Sequence, residues 1–178
     1  MAFGIELTSD NLAKIGRIVA VVAVLGVGAA AVISTQQQSL QTEIRELSNE
    51  MERRFGTGGA YTTAASEDVT AIMINGGTVP ASLVDRSTAP PTIRHRDNGA
   101  ITLTLTPTQR QITLAALGQT SCIGLIEGMD ANRSLRAVSV NGTGAAFTNA
   151  APATSAALRA VAATCAQGDN AVVLAWGR

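Results

Sequence analysis

The sequence predicts an α+β fold: a long N-terminal α-helix, apolar in its first half and amphipathic in its second, packed on a C-terminal head domain with an antiparallel sheet. Three observations carry this. An unbroken apolar run from Ile18 to Ile33 leads, with no proline or turn signal, into a charged helical stretch that reaches Phe55. Residues 101–106 alternate strictly between aliphatic side chains and threonine, the period of a half-buried strand. The two cysteines, Cys122 and Cys165, fall on the inward faces of two separate predicted helices.

The helix comes first. Crossing the hydrocarbon core takes about 20 residues, and extending the run to Ile15 and Thr35 supplies them. Lys14 and Arg17 precede the run. Basic residues at that end mark the cytoplasmic side, so the chain after Thr35 is expected outside the cytoplasm. A secretory signal peptide shares the basic-then-apolar pattern. However, the sequence STQQQ at residues 34–38 lacks a clean small-x-small cleavage box, and the helical pattern continues through it. Small residues, among them Gly26, Gly28, Ala29 and Ala30, crowd the run. Such a surface lets helices approach closely where lipid supplies no hydrophobic drive. Each glycine costs a helix roughly 1 kcal/mol against alanine, so Gly26 and Gly28 are the expected place for a bend.

Beyond the membrane, Leu40, Ile44, Leu47, Met51 and Phe55 recur at spacings of three and four and share one helical face. A coiled coil would need several more turns, so this stripe is expected to pack on a globular domain. Gly56, Gly58 and Gly59 end the helix. From Asp10 to Arg54 it would extend roughly 65 Å at 1.5 Å per residue. The chain thus divides into a short N-terminal segment (1–14), the long helix (15–55) and an αβ head (56–178).

Within the head, Ser66 with Glu67 and Asp68 starts a short helix that stops at Asn75-Gly76-Gly77, before Pro80. Residues 85–98 carry Pro90, Pro91 and five charged side chains and are expected to form an exposed loop, with His95 solvated. After the alternating strand, a second strand is expected near 111–115. Thr120 is expected to cap a helix with Cys122, Ile126 and Met129 on one face. A third strand spans 136–140, followed by the turn Asn141-Gly142. Residues 152–166 are expected to be helical with Leu158, Val161 and Cys165 inward, and Gly168-Asp169-Asn170 turns the chain into a terminal strand, 171–176. A head outside the cytoplasm permits disulfides, and a Cys122–Cys165 bridge is expected; two buried free thiols are the other reading.

Composition excludes more chemistry than it suggests. A single histidine cannot complete a metal cluster or a Ser-His-Asp triad. No Gly-rich phosphate loop or Gly-x-Ser-x-Gly elbow is present, and neither catalysis nor a cofactor is expected. Glu127 and Asp130 fit a solvated helix face. A formal net charge of zero removes the electrostatic argument for nucleic acid as a general partner. The loop arginines Arg86, Arg94 and Arg96 are the candidates to touch a polyanion.

The order of these elements resembles the type IV pilins, and within them the type IVb major pilins of the conjugative thin-pilus, PilS-like kind. The local matches are TVPASLV at 78–84, QITLAALGQTSC at 111–122 and AATCAQGDN at 162–170 followed by the last strand. The resemblance implies a structural subunit held in the inner membrane, cut by a prepilin peptidase, extracted by the assembly machinery and polymerised helix against helix into an extracellular filament. It implies cleavage after Gly4, leaving Ile5 first. The family carries a glutamate four residues beyond that first residue, where this chain has Ser9. Asp10 is one place late and Glu6 too early; Asp10 is taken as the buried core acid, since an unpaired charge among apolar helices is costly. A minor pilin or type II secretion pseudopilin, or a single-span membrane-anchored periplasmic binding domain, remain the other readings.

Overall fold

Residues 40–57, 60–61, 66–129 and 134–177 are described by the computed structural model. The first described helix, α1, covers 40–55 and presents its apolar stripe inward: Ile44, Leu47 and Met51 are wholly buried, and Leu40 and Phe55 nearly so. It is a core element of the compact unit Gln37–Arg178 and not a free coiled-coil stalk. The helix gives way at Gly56 to β1 (Gly56–Thr57), which pairs with β2 (Ala60–Tyr61) in a two-stranded ribbon. Helix α2 (Ser66–Asn75) follows, ending where Gly77 takes a positive φ of 65°.

The remaining strands form one seven-stranded antiparallel sheet in the order β3-β4-β5-β6-β9-β7-β8. Its members are β3 (Val84–Asp85), β4 (Thr92–Arg94), β5 (Ala100–Leu105), β6 (Gln109–Leu117), β7 (Leu135–Val140), β8 (Thr143–Ala146) and β9 (Asn170–Gly177). The alternation read from the sequence is realised in β5, where Ile101, Leu103 and Leu105 are buried. It continues across the cross-strand partners Leu103↔Ile112 and Ile112↔Leu174. The last strand is central, between β6 and β7, so the sheet closes only when the C-terminus is in place. Helices α3 (Gln119–Glu127) and α4 (Ser155–Ala162) pack against each other.

Several expectations need correction. Segment 85–98 is not simply an exposed loop, because it carries strand β4 and the end of the edge strand β3. His95 within it is 3% exposed. Its Nε2 donates to the Ala115 carbonyl at 2.6 Å and its Nδ1 accepts from the Asp97 amide at 3.2 Å, an assignment fixed by the partners, since a carbonyl only accepts. Strand β6 runs past Ala115 to Leu117, with an irregularity between Leu114 and Leu117 at which Ala116 takes φ 55°; this bulge turns the Ala115 carbonyl toward the imidazole. Gly118, extended at φ −61° and ψ 155°, precedes α3 in place of Thr120, because β6 continues two residues further than expected. Helix α4 is shorter than 152–166: Thr154 Oγ1 accepts from the Ala157 amide at 3.2 Å and starts it there. Strand β8 was not expected; the turn before it was, and Asn141 and Gly142 at φ 51° and 82° make the tight hairpin that pairs β8 with β7.

Candidate functional site: the helix–sheet seam and the tied C-terminal loop

The chemistry of the head is concentrated where α1 meets the sheet. Strand β6 alternates, so Arg110 shares the inward face of Ile112 and Leu114 and is buried to 6% exposure. A buried guanidinium is tolerated only when paired and hydrogen-bonded. Its three partners come from two elements, α1 and β2. Nε donates to Ser48 Oγ of α1 at 2.9 Å. Nη1 donates to the Glu52 carboxylate, also on α1, and to the hydroxyl of Tyr61 on β2; that hydroxyl in turn donates to Glu52. The Arg110 guanidinium also sits 5.8 Å from the Tyr61 ring centroid, within cation–π range. Burial, with the hydrogen bond to Glu52, raises the Tyr61 phenol above its ordinary value against the opposing pull of Arg110.

The flanks of α1 are tied as well. Gln41 Nε2 donates to the Gly124 carbonyl at 2.6 Å and Arg45 Nη2 to that of Gly128 at 2.8 Å, so α3 holds one side. On the other, Ser82 Oγ donates to Glu43 at 3.1 Å, Arg96 approaches Glu43 at 3.9 Å, and Arg54 Nη2 donates to the Gly76 carbonyl at 3.2 Å. Two of the three clustered loop cations are therefore used inside the head: Arg96 here, and Arg94 in a 2.8 Å ion pair with Asp85. The Ser87 hydroxyl and backbone amide, with Arg94 behind them, hold the Asp85 carboxyl below the usual carboxylate range. Arg86 is exposed.

At the other end of the sheet, Cys122 of α3 and Cys165, just after α4, are joined by a disulfide with Cα atoms 6.1 Å apart. Both are buried. The loop that follows Cys165 is organised by Asn170, wholly buried at the start of β9. Its Nδ2 donates to the carbonyls of Leu117, Ala166 and Gly168, each at 3.0 Å, and its Oδ1 accepts from the Ala166 amide at 2.8 Å. Asn141 continues the network, donating to Asn170 Oδ1 at 3.2 Å and accepting from the Ala171 amide at 2.8 Å. Gln119 Nε2 adds a bond to the Cys165 carbonyl at 3.1 Å.

Of the residues singled out in the sequence, Cys122 and Cys165 are brought together and Glu127 is exposed. Gly4, Ile5, Glu6, Asp10, Gly26, Gly28, Ala29, Ala30 and Asp130 lie outside the described residues. Sequence reasoning missed Arg110, Ser48, Glu52 and Tyr61. The signal was present, since Arg110 is two residues before Ile112 and Ser48 is one turn after Ile44. Among the described residues no group of three His, Cys, Asp or Glu side chains is placed to hold a metal, and no helix is long and apolar enough to cross a membrane.

The hydrogen bonds and the disulfide tie both flanks of α1 and the loop before the last strand into the head. The family described as PilS N terminal matches residues 34–176. The crystal structure of type IV b pilin from Salmonella typhi shares the fold, with a TM-score of 0.52 and 19% identity over 81% of this chain and 97% of that one. No curated protein matches the sequence. With residues 34–176 matched, the chain belongs to the PilS N-terminal pilin family and has the fold of a type IVb pilin.

Proposed function

We propose that this chain is the major subunit of a type IVb pilus, polymerising through its N-terminal helix into an extracellular filament for adhesion, conjugation or motility. The observation that carries the reading is the burial of the α1 stripe, with five apolar residues at 7% exposure or less. The head consumes the amphipathic half of the helix, and the apolar run, Ile18 to Ile33, precedes it in sequence. A run rich in Gly and Ala suits two successive environments, the inner membrane before assembly and a helix-packed filament core after it. In this account a prepilin peptidase cuts between Gly4 and Ile5, and the assembly machinery draws the subunit from the membrane. Asp10, or failing that Glu6, meets the terminal amine of a neighbouring subunit in the apolar core, with Gly26, Gly28, Ala29 and Ala30 at the packing surface.

Electron microscopy of cells with and without the gene tests this. Filaments whose main protein is this chain, absent from the deletion and restored by complementation, are expected. Filaments that persist in the deletion, with the chain only a trace component, would assign it instead to a minor pilin or pseudopilin role.

A further inference from the structure

One cavity of the head is bordered by two buried side chains that each keep a donor with no acceptor among the described residues. It lies between α1 and the β6-β9-β7 part of the sheet, has a volume of about 150 Å³, and is bordered by Arg45, Ser48, Asn49, Arg110, Ser134 and Trp176, with Met129 and Leu135 completing it. Two of these side chains are more than nine-tenths buried, Arg110 at 6% and Trp176 at 5% exposure. Arg110 commits Nε to Ser48 and Nη1 to Glu52 and Tyr61, and its Nη2 meets no acceptor among the described residues. The Trp176 indole N–H likewise meets none there, although it is a donor only and buried indoles ordinarily find a partner. Ser48 Oγ accepts from Arg110, which leaves its own proton to give. No described residue bordering the cavity is a carboxylate.

A cavity bordered by unspent donors and by no described carboxylate is complementary to an acceptor, and the local charge sets how negative that acceptor is. Glu52 already balances the Arg110 guanidinium, so a dianion such as phosphate would bring two uncompensated charges into the site where a monoanion brings one. A singly charged group with two oxygens takes the guanidinium and indole protons at the smaller cost, and charge-assisted bonds of this kind are about twice as strong as neutral ones. We infer that this cavity is a binding site for the carboxylate of a small organic acid, held by Arg110 Nη2, the Trp176 indole and the Ser48 hydroxyl. The site is separate from the helix surface assigned to polymerisation and does not depend on that assignment.

The chain has a single tryptophan, so its indole N–H gives one NMR resonance that reports directly on the cavity. The experiment uses the full-length chain in detergent micelles, titrated with acetate, with its neutral isostere acetamide and with chloride at matched ionic strength. The site predicts a saturable downfield shift of the indole proton with acetate. Acetamide should bind at least about tenfold more weakly, because it lacks the charge, and chloride should give no saturable shift. Asn49→Phe, on the exposed rim and outside the Arg110 network, fills the mouth and should abolish the response while leaving the melting temperature close to wild type. Arg110→Gln should abolish it too, but that variant tests the site only where it folds. An equal response to acetamide or chloride, a response unchanged in Asn49→Phe, or no saturation with acetate would each overturn the assignment.

Discussion

Arg110 is the residue on which α1, β2 and β6 converge. Replacing it with methionine keeps the volume but leaves Glu52 without its cation and Ser48 and Tyr61 without their donor. Breaking a buried pair typically costs 3–5 kcal/mol; solvent reaches Glu52, whose side chain is 36% exposed, so a loss of about 2–3 kcal/mol is expected for Arg110→Met. Urea denaturation followed by Trp176 fluorescence reads it, and a variant as stable as wild type would show the network to be dispensable. Tyr61 carries the pH dependence of the same cluster. Its folded-state pKa is raised from the ordinary 10.0, so the fold favours the neutral phenol. That contribution is fully present below pH 10, where the unfolded phenol is also neutral, and is lost as pH rises through the folded value. Tyr61 is the sole tyrosine, so phenolate absorbance reports on it alone: the native midpoint should lie above that measured in urea, and a native midpoint at or below it would contradict the geometry. The sequence held most of this cluster in view, since period two places Arg110 inward with Ile112 and the helical period places Ser48 beside the stripe. A strand expected only near 111–115 leaves Arg110 outside it, although β6 begins at Gln109. His95 was not legible in the same way, as its burial depends on a bulge in β6 about twenty residues away.

Among the elements, those with a regular period or a clear turn signal are the legible ones: α1 follows from helical spacing, β5 from alternation and β9 from the Gly168-Asp169-Asn170 turn before it. Strands β3, β4 and β8 are not, because each is two to four residues long and exists by pairing with a neighbour rather than by its own pattern. Two elements offer direct tests. The β4–β5 turn closes over β6 at Gly99, where an added Cβ would overlap the Ala115 carbonyl oxygen and the His95 ring. Gly99→Ala is expected to cost about 1–3 kcal/mol, as overpacking does, with the largest loss of amide protection in β4 and at the β6 bulge; unchanged hydrogen exchange there would refute the close approach. The α3–α4 pair depends on the disulfide, which spans 43 residues. Closing a loop of that length stabilises a fold by about 4 kcal/mol on the chain-entropy view. Cys122→Ser should therefore lower the urea midpoint strongly, and reducing agent should do the same to wild type and nothing further to the variant. A midpoint insensitive to both would mean that the Asn170 network holds the C-terminal loop unaided.

For the whole molecule, the architecture ties stability to the last residues of the chain. The final strand β9 sits between β6 and β7, its first residue organises the loop after Cys165, and its tryptophan lines the cavity beside Arg110. The head is therefore one cooperative body, with α1 fixed to it by a buried stripe and by polar ties on both flanks. Such a body suits a subunit that must carry load from its helix to its surface without local melting. The central claim is that this body is exported and polymerised, and non-reducing intact-mass spectrometry of material sheared from the cell surface tests it most directly. The account predicts one dominant species that lacks the first four residues, begins at Ile5 and is lighter by the two hydrogens of the Cys122–Cys165 bond. An uncut chain confined to the membrane and absent from the sheared fraction would contradict it.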